Sequence, residues 1–177
     1  MTVDLQKAKH KWFQTLQPLR PPEMVGLWRG IGIPADHPLD GVLENLQWFG
    51  KRFHADMRAD ALLFQWRAGR LVAINPAYFP IGTAIRFAPF GRTAIARNCF
   101  SHLQKTVRAR ATTASLALRG SDAEETAAMV YDSQPIIDYF RRIDDSEIAG
   151  MMCVEGDNRR YFFRLRKVDP ATREVPS

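Results

Sequence analysis

The chain opens on apolar positions at helical spacing. Leu5, Ala8, Trp12 or Phe13, and Leu16 recur between Lys and Gln residues, which predicts an amphipathic helix over residues 3–16. Pro18, Pro21 and Pro22 end it, and it is expected to close one end of the core. Over residues 24–33 the period changes to two. Val25, Leu27, Arg29, Ile31 and Ile33 fall on one face, and Trp28 with Gly26, Gly30 and Gly32 on the other. This is a strand whose glycine face lets another chain pass close. Leu39, Val42, Leu43, Leu46, Phe49 and Phe53 then return to spacings of three and four and predict a helix over residues 39–53, with Asp40 as its N-cap. Residues 61–66 and 70–74 read as a hairpin turned at Ala68-Gly69, followed by a third short strand at 81–87.

Residues 88–111 are the least patterned stretch. Ile95, Cys99, Leu103 and Val107 fit a helix, while Pro89 and Gly91 before them fit a loop. Residues 112–118 and 125–131 flank Gly120-Ser121-Asp122 and form a second hairpin. Asp132 or Ser133 caps a short helix with Pro135 in its first turn and Ile136, Ile137, Phe140 and Ile143 on one face. Strands at 147–154 and 159–168 follow, joined at Glu155-Gly156-Asp157-Asn158, and the chain beyond Pro170 reads as a loose tail. About eight short strands with two or three helices between them, not in strict alternation, predict a mainly β fold. Its antiparallel sheet closes, or nearly closes, into a small barrel with an N-terminal helix and one or two capping helices, and residues 1–177 form one domain.

Composition narrows the class. A hydrophobic content of 46% over 177 residues is enough for one self-contained core. Two cysteines, Cys99 and Cys153, make neither a disulfide framework nor a paired metal site, so cytoplasmic residence is the default expectation. Asp4, Lys7, Lys9, His10 and Lys11 interrupt any signal-like apolar run, and no stretch approaches the roughly 20 apolar residues of a membrane span. The net charge of +6 comes mostly from arginines, among them Arg92, Arg97, Arg108, Arg110, Arg159 and Arg160, interleaved along the chain with Asp and Glu. Without a dense basic block carrying stacking aromatics, that pattern argues against nucleic acid and suits a small anionic ligand equally well.

No Gly-x-Ser-x-Gly, Gly-x-x-x-x-Gly-Lys, His-Glu-x-x-His or Cys-x-x-Cys occurs, and His37, His54 and His102 lack ligand partners at metal spacing. No metal and no cofactor is predicted. Lys51, Arg52 and His54 are explained as cations at a helix C-terminus. Trp48 and Lys51, three apart on that same helix, would otherwise offer an aromatic surface and a cation to an anionic head group. Tyr131, Asp132 and Asp138 form the most chemical-looking group. Asp132 serves as a helix cap, the reading preferred to a catalytic one. Asp138, flanking the apolar stripe of its helix, pairs outward with Arg141 or Arg142, the reading the spacing favours, or turns inward to orient a ligand hydroxyl or act as a base. Phe64, Tyr78, Phe79, Phe87, Phe90, Tyr139 and Phe162 supply an apolar lining, with Tyr139 beside the polar group.

Gly26-Leu27-Trp28-Arg29-Gly30, then His37-Pro38-Leu39-Asp40-Gly41 and Trp48-Phe49-Gly50-Lys51-Arg52-Phe53, resemble the GXWXG family over residues 20–75. Met129 to Arg141 and Gly150-Met151-Met152 resemble the domain of unknown function 4334 over residues 112–168. More distantly, the Gly-x-Trp strand is similar to the first strand of calycin-like barrels: lipocalins, fatty-acid-binding proteins and haem-binding nitrobindins. That resemblance implies a structural anchor at Gly26, Trp28 and Gly30, with a basic residue of the last strand, Arg164 or Arg166, packed across the tryptophan. It also implies haem as an alternative ligand, against which stands the lack of any histidine after His102. The expected function is binding of a hydrophobic or amphipathic small molecule, with an acidic group, in an internal cavity lined by Trp48, Lys51, Tyr131, Asp138 and Tyr139, by a monomer or homodimer. The alternatives are an isomerase, hydratase or lyase using Asp138 or Asp132 with Tyr131 or Lys51, and a basic surface serving only as a partner site.

Overall fold

A computed structural model describes residues 4–122 and 124–170. In chain order its helices are α1 (Leu5–Thr15), α2 (Val42–Asn45), α3 (Ile81–Arg86), α4 (Ala88–Gly91) and α5 (Ala94–Leu103). Its strands are β1 (Gln17–Pro18), β2 (Gly26–Ile33), β3 (Trp48–Phe53), β4 (Arg58–Gln65), β5 (Leu71–Ala73), β6 (Ala114–Ser121), β7 (Glu124–Tyr131), β8 (Ile136–Arg142), β9 (Glu147–Val154) and β10 (Arg160–Lys167). Neighbouring strands run in the order β8-β7-β6-β4-β3-β2-β10-β9, and β9 pairs back with β8, so eight antiparallel strands close on themselves. Closure leaves no free edge in the ring. The two short strands extend the rim: β5 pairs with Leu63–Gln65 of β4, beyond its contact with β6, and β1 pairs with the end of β8. No helix among the described residues is long and apolar enough to cross a membrane. The loose tail read beyond Pro170 lies outside the described residues.

Period-two alternation sorts side chains to the two faces of the wall. Trp28 of β2, Phe140 of β8, and Tyr161, Phe163 and Leu165 of β10 point inward and are buried. The inner glycines make room for rings. A Cβ at Gly30 would lie 2.3 Å from the Trp48 ring, and one at Gly150 would lie 2.2 Å from Phe163. One end of the barrel is packed solid by Met24, Trp28, Phe53 and Phe140, with the Trp28 indole N–H donating to the Met24 carbonyl at 2.7 Å. Helices α2 to α5 cover the other end.

Several expectations are corrected. α1 closes no end; Phe13 packs on Phe162 against the outer wall, in a second core with Ala35, Ala149 and Met151. The helix expected over 39–53 is one short turn, after which Gln47 at φ 64° swings the chain into β3. Residues 81–87, read as a strand, form α3. The helix expected from Pro135 is β8, because its backbone is claimed on both sides by β7 and β9, and its β-branched and aromatic residues suit that place. Across Trp28 lies Lys167, its Nζ 5.6 Å from the ring, and not Arg164 or Arg166. Those two alternate to the outer face, where Arg166 pairs with Glu147 at 2.5 Å.

β3 carries an irregularity that positions the interior. Trp48 faces Phe64, Gly50 faces Leu63 and Arg52 faces Asp60, so the register slips on either side of Gly50. The bulge turns both Trp48 and Lys51 inward, although residues three apart on a regular strand face opposite ways. Gly50 sits at φ 152°, and a Cβ there would come within 1.9 Å of the Trp28 carbonyl. Gly50→Ala is therefore expected to destabilise the fold by about 3 kcal/mol or more, read as a lowered midpoint in urea unfolding; an unchanged midpoint would remove the bulge from its structural role.

Candidate binding site

Between the barrel interior and its helical cover lies a cavity of about 150 Å³. Its walls are almost wholly apolar, with Leu46, Phe64, Ile74, Phe100, Ile136 and Met152 among them. Five polar side chains also reach it: Lys51, Tyr131, Gln134, Asp138 and Tyr161. Gln134 is spent on architecture, since its amide donates to the Pro76 carbonyl and accepts from the Ile81 N–H, tying the start of α3 to the barrel.

The other four converge from three sides. Lys51 on β3 and Asp138 on β8 stand on opposite walls of the eight-strand ring and meet across its interior, Nζ to Oδ2 at 2.9 Å, with side chains 3% and 1% exposed. Lys51 Nζ also donates to the Ala61 carbonyl at 3.0 Å and to the Tyr131 hydroxyl at 3.2 Å. Its three N–H bonds are thus used, and the rings of Trp48, Tyr131 and Phe163 surround it with centroids 5.9, 5.6 and 5.2 Å away. The Tyr131 hydroxyl in turn donates to Asp138 Oδ2 at 3.4 Å. Burial, reinforced by the Asp138 charge, holds the Tyr131 phenol protonated well above its usual range. The Tyr161 phenol is held up likewise by burial, with Glu44, Asp40 and Asp138 adding to it.

Two atoms in this group have no hydrogen-bond partner among the described residues: Asp138 Oδ1 and the Tyr161 hydroxyl. A buried polar atom left unpaired is costly, of order 1–3 kcal/mol, and both of these belong to residues that line the cavity. Behind Tyr161, His37 packs edge-on at 5.6 Å, its imidazole kept neutral by burial that lowers its pKa.

The structure therefore brings together Trp48, Lys51, Tyr131 and Asp138, with Asp138 inward rather than paired to Arg141 or Arg142. It does not bring Tyr139 or Asp132 there. Tyr139 follows Asp138 on a strand and so points outward, among the residues under α1. Asp132 caps no helix; it lies at the barrel's outer rim, paired with the Arg58 guanidinium. Of the expected aromatic lining only Phe64 and Phe79 contribute; Tyr78, Phe87 and Phe90 are exposed and Phe162 lies under α1. Tyr161 was missed, although the alternation Tyr161, Phe163, Leu165 carried the signal. No histidine lines the cavity, so the haem reading finds neither an imidazole ligand nor the volume.

Residues 11–69 match the family model described as "GXWXG protein", and residues 109–167 match the one described as "Domain of unknown function (DUF4334)". The two matches fall in separate regions of the chain, one before the helices α3 to α5 and one after them. Residues of the cavity come from both matched regions: Trp48 and Lys51 lie in the first, and Tyr131, Asp138 and Tyr161 in the second. No protein of curated function matches the sequence. The chain is similar in fold to a protein of Thermomonospora curvata seen in a crystal structure, at 24% identity over 93% of this chain and 88% of that one, with a TM-score of 0.67. At that identity the likeness speaks for the barrel alone.

Two measurements check the site. Lys51→Met and Asp138→Leu should each cost about 3–5 kcal/mol, because each strands a buried charge, whereas the double variant should recover most of the loss. Additive losses in the denaturation cycle would mean that the two groups do not interact. In an ultraviolet titration of the four tyrosines, Tyr131 and Tyr161 should ionise only as the protein unfolds. Their raised folded pKa makes the unfolded chain lose protons first, so stability must fall as pH rises past about 10. Full ionisation of all four in the folded protein would contradict the burial.

Proposed function

We propose that the barrel binds a compact hydrophobic molecule that carries a hydrogen-bond donor, such as an alcohol, with its apolar body under the helical cover and its donor on Asp138 Oδ1. The observation that carries this reading is a carboxylate oxygen with no hydrogen-bond partner among the described residues, in a largely apolar cavity. A void near 150 Å³ lined by Leu, Ile and Phe is large enough for about one six-membered ring. The ammonium of Lys51 supports a donor in preference to an acidic head group: its charge is already matched by Asp138, and none of its N–H bonds is free.

A catalytic role for Asp138 as base draws less support from this arrangement. The groups that would polarise a substrate oxygen, Lys51 Nζ and the Tyr131 hydroxyl, are turned to Asp138 Oδ2 and the Ala61 carbonyl instead of to the cavity.

The test is a matched series of one-ring compounds: benzyl alcohol, toluene and benzoate. Thermal melting should rise most with benzyl alcohol, less with toluene and least with benzoate. The Lys51→Met/Asp138→Leu double variant, which leaves no buried charge stranded, should cost benzyl alcohol about ten-fold or more in affinity relative to toluene, because a hydrogen bond to a charged acceptor is worth about 1.5–3 kcal/mol. No stabilisation by any of the three would sink the reading, and benzoate binding best would reverse its polarity.

A further inference from the structure

The charge of this chain is not evenly mixed. Between Asp60 and Asp122 the sequence holds nine Lys or Arg residues and not one Asp or Glu. The interleaving with acids read over the whole chain fails within this stretch, which contains β5 and the helices α3 to α5. Every ion pair among the described residues is made outside it.

The same stretch exposes its apolar side chains. Phe87 is 56% exposed, Phe90 51% and Ile95 67%, and Tyr78 and Leu103 are exposed as well. They are not scattered. Tyr78, Phe87, Phe90, Cys99 and Leu103 rim one groove on the outside of the cover, and Ile95, Cys99 and Leu103 follow one another at four-residue intervals as a stripe along α5. Cations stand beside it: Arg86 is stacked near the Phe87 ring, its guanidinium 5.7 Å from the centroid, and Arg108 and Arg110 share an adjoining groove with Tyr78 and with Asp132, whose carboxylate is already paired with Arg58. The outer groove and the inner cavity have a common wall, since Val42, Leu46, Phe79, Ala84 and Phe100 line both.

We propose that the α3–α5 cover is a docking surface for an anionic lipid bilayer. Aromatic and aliphatic side chains enter the acyl boundary, and the acid-free set of arginines meets the phosphate headgroups. Nucleic acid would satisfy the arginines, but it gives the aliphatic stripe of Ile95 and Leu103 nothing to bury against. A bilayer satisfies both, and it would place an apolar reservoir one side chain away from the cavity. The inference stands on the surface alone and does not require that a ligand be bound inside.

The test uses the full chain with vesicles of phosphatidylcholine, with and without phosphatidylglycerol. The protein should sediment with the mixed vesicles, not with phosphatidylcholine alone, and less as salt is raised. Phe87→Ser combined with Phe90→Ser should weaken binding about ten-fold or more, as expected for withdrawing two buried aromatics. Leu118→Ser, an exposed apolar side chain on β6, should leave it unchanged. Arg86→Gln, Arg108→Gln and Arg110→Gln should each weaken it about five-fold. A polarity-sensitive fluorophore on exposed Cys99 reads contact in the otherwise unaltered chain, and its emission should shift to the blue on mixed vesicles. The proposal is overturned if the protein does not sediment, or if sedimentation survives the paired serine substitutions with no spectral shift. It is equally overturned if a single-stranded oligonucleotide is bound in preference to vesicles and the serine pair leaves that binding intact.

Discussion

Lys51 reaches across the barrel to Asp138, and the contact exists only if the sheet is closed. The two side chains stand on strands half a ring apart, so every pairing between β3 and β8, in both directions around the wall, sets their separation of 2.9 Å. Moving either charge alone into the interior would cost several kcal/mol. Here the cost is offset by the mutual attraction, by the Ala61 carbonyl and Tyr131 hydroxyl, and by three aromatic faces around the ammonium. A pair of well-packed hydrophobic residues would serve the fold as well or better. The presence of charge is thus better explained by what it does to the cavity: it holds one carboxylate oxygen without a protein partner and leaves the opposing cation fully engaged.

The backbone is bent to allow this. Without the slip at Gly50, Trp48 and Lys51 would fall on opposite faces of β3, and either the ring or the ammonium would leave the interior. The left-handed φ at that glycine and its closeness to the Trp28 carbonyl tie the bulge to the strand that bears the Gly-x-Trp-x-Gly sequence. Gly30 on the same strand yields its side-chain space to Trp48. The glycine spacing therefore supports the site indirectly: it sets where two inward side chains of the neighbouring strand sit, while Trp28 itself seals the far end.

How much of this was legible follows from the periods involved. The strand around Trp28 and β10 carry period-two alternation, while β6, β7 and β9 are marked as short runs bounded by the turn residues Gly120-Ser121-Asp122 and Glu155-Gly156-Asp157-Asn158, and these segments are strands in the structure. Residues 39–53 misled because a helical turn followed by a bulged strand leaves apolar positions three and four apart, as one continuous helix would. Ile136, Ile137, Phe140 and Ile143 fit a helical face, and nothing local shows that β7 and β9 both claim that segment. The error carries a chemical consequence. On a helix Asp138 flanks the apolar stripe and turns to Arg141 or Arg142; on a strand it alternates with Ile136 and Phe140 and must face inward, while Tyr139 must face out. Averaging charge over the whole chain hid the acid-free stretch for a similar reason, since the excess acids of the remaining sequence mask it.

The two ends of the barrel differ in how they could open. At the Trp28 end, parting the wall would break ladder hydrogen bonds and pull large rings from a filled interior, with Lys167 over the indole and its N–H bonded to the Met24 carbonyl. At the other end the cover consists of helices of four, six, four and ten residues. Helices that short have little stability of their own and are held by packing. Part of that packing is the single layer of side chains shared between cavity and groove, with the Gln134 amide as a further tie. Displacing α3 and the aromatic side chains beneath it leaves all eight ladders intact. The least costly path between the cavity and the outside therefore runs through the face that gathers the exposed aromatics and arginines that make no ion pair among the described residues.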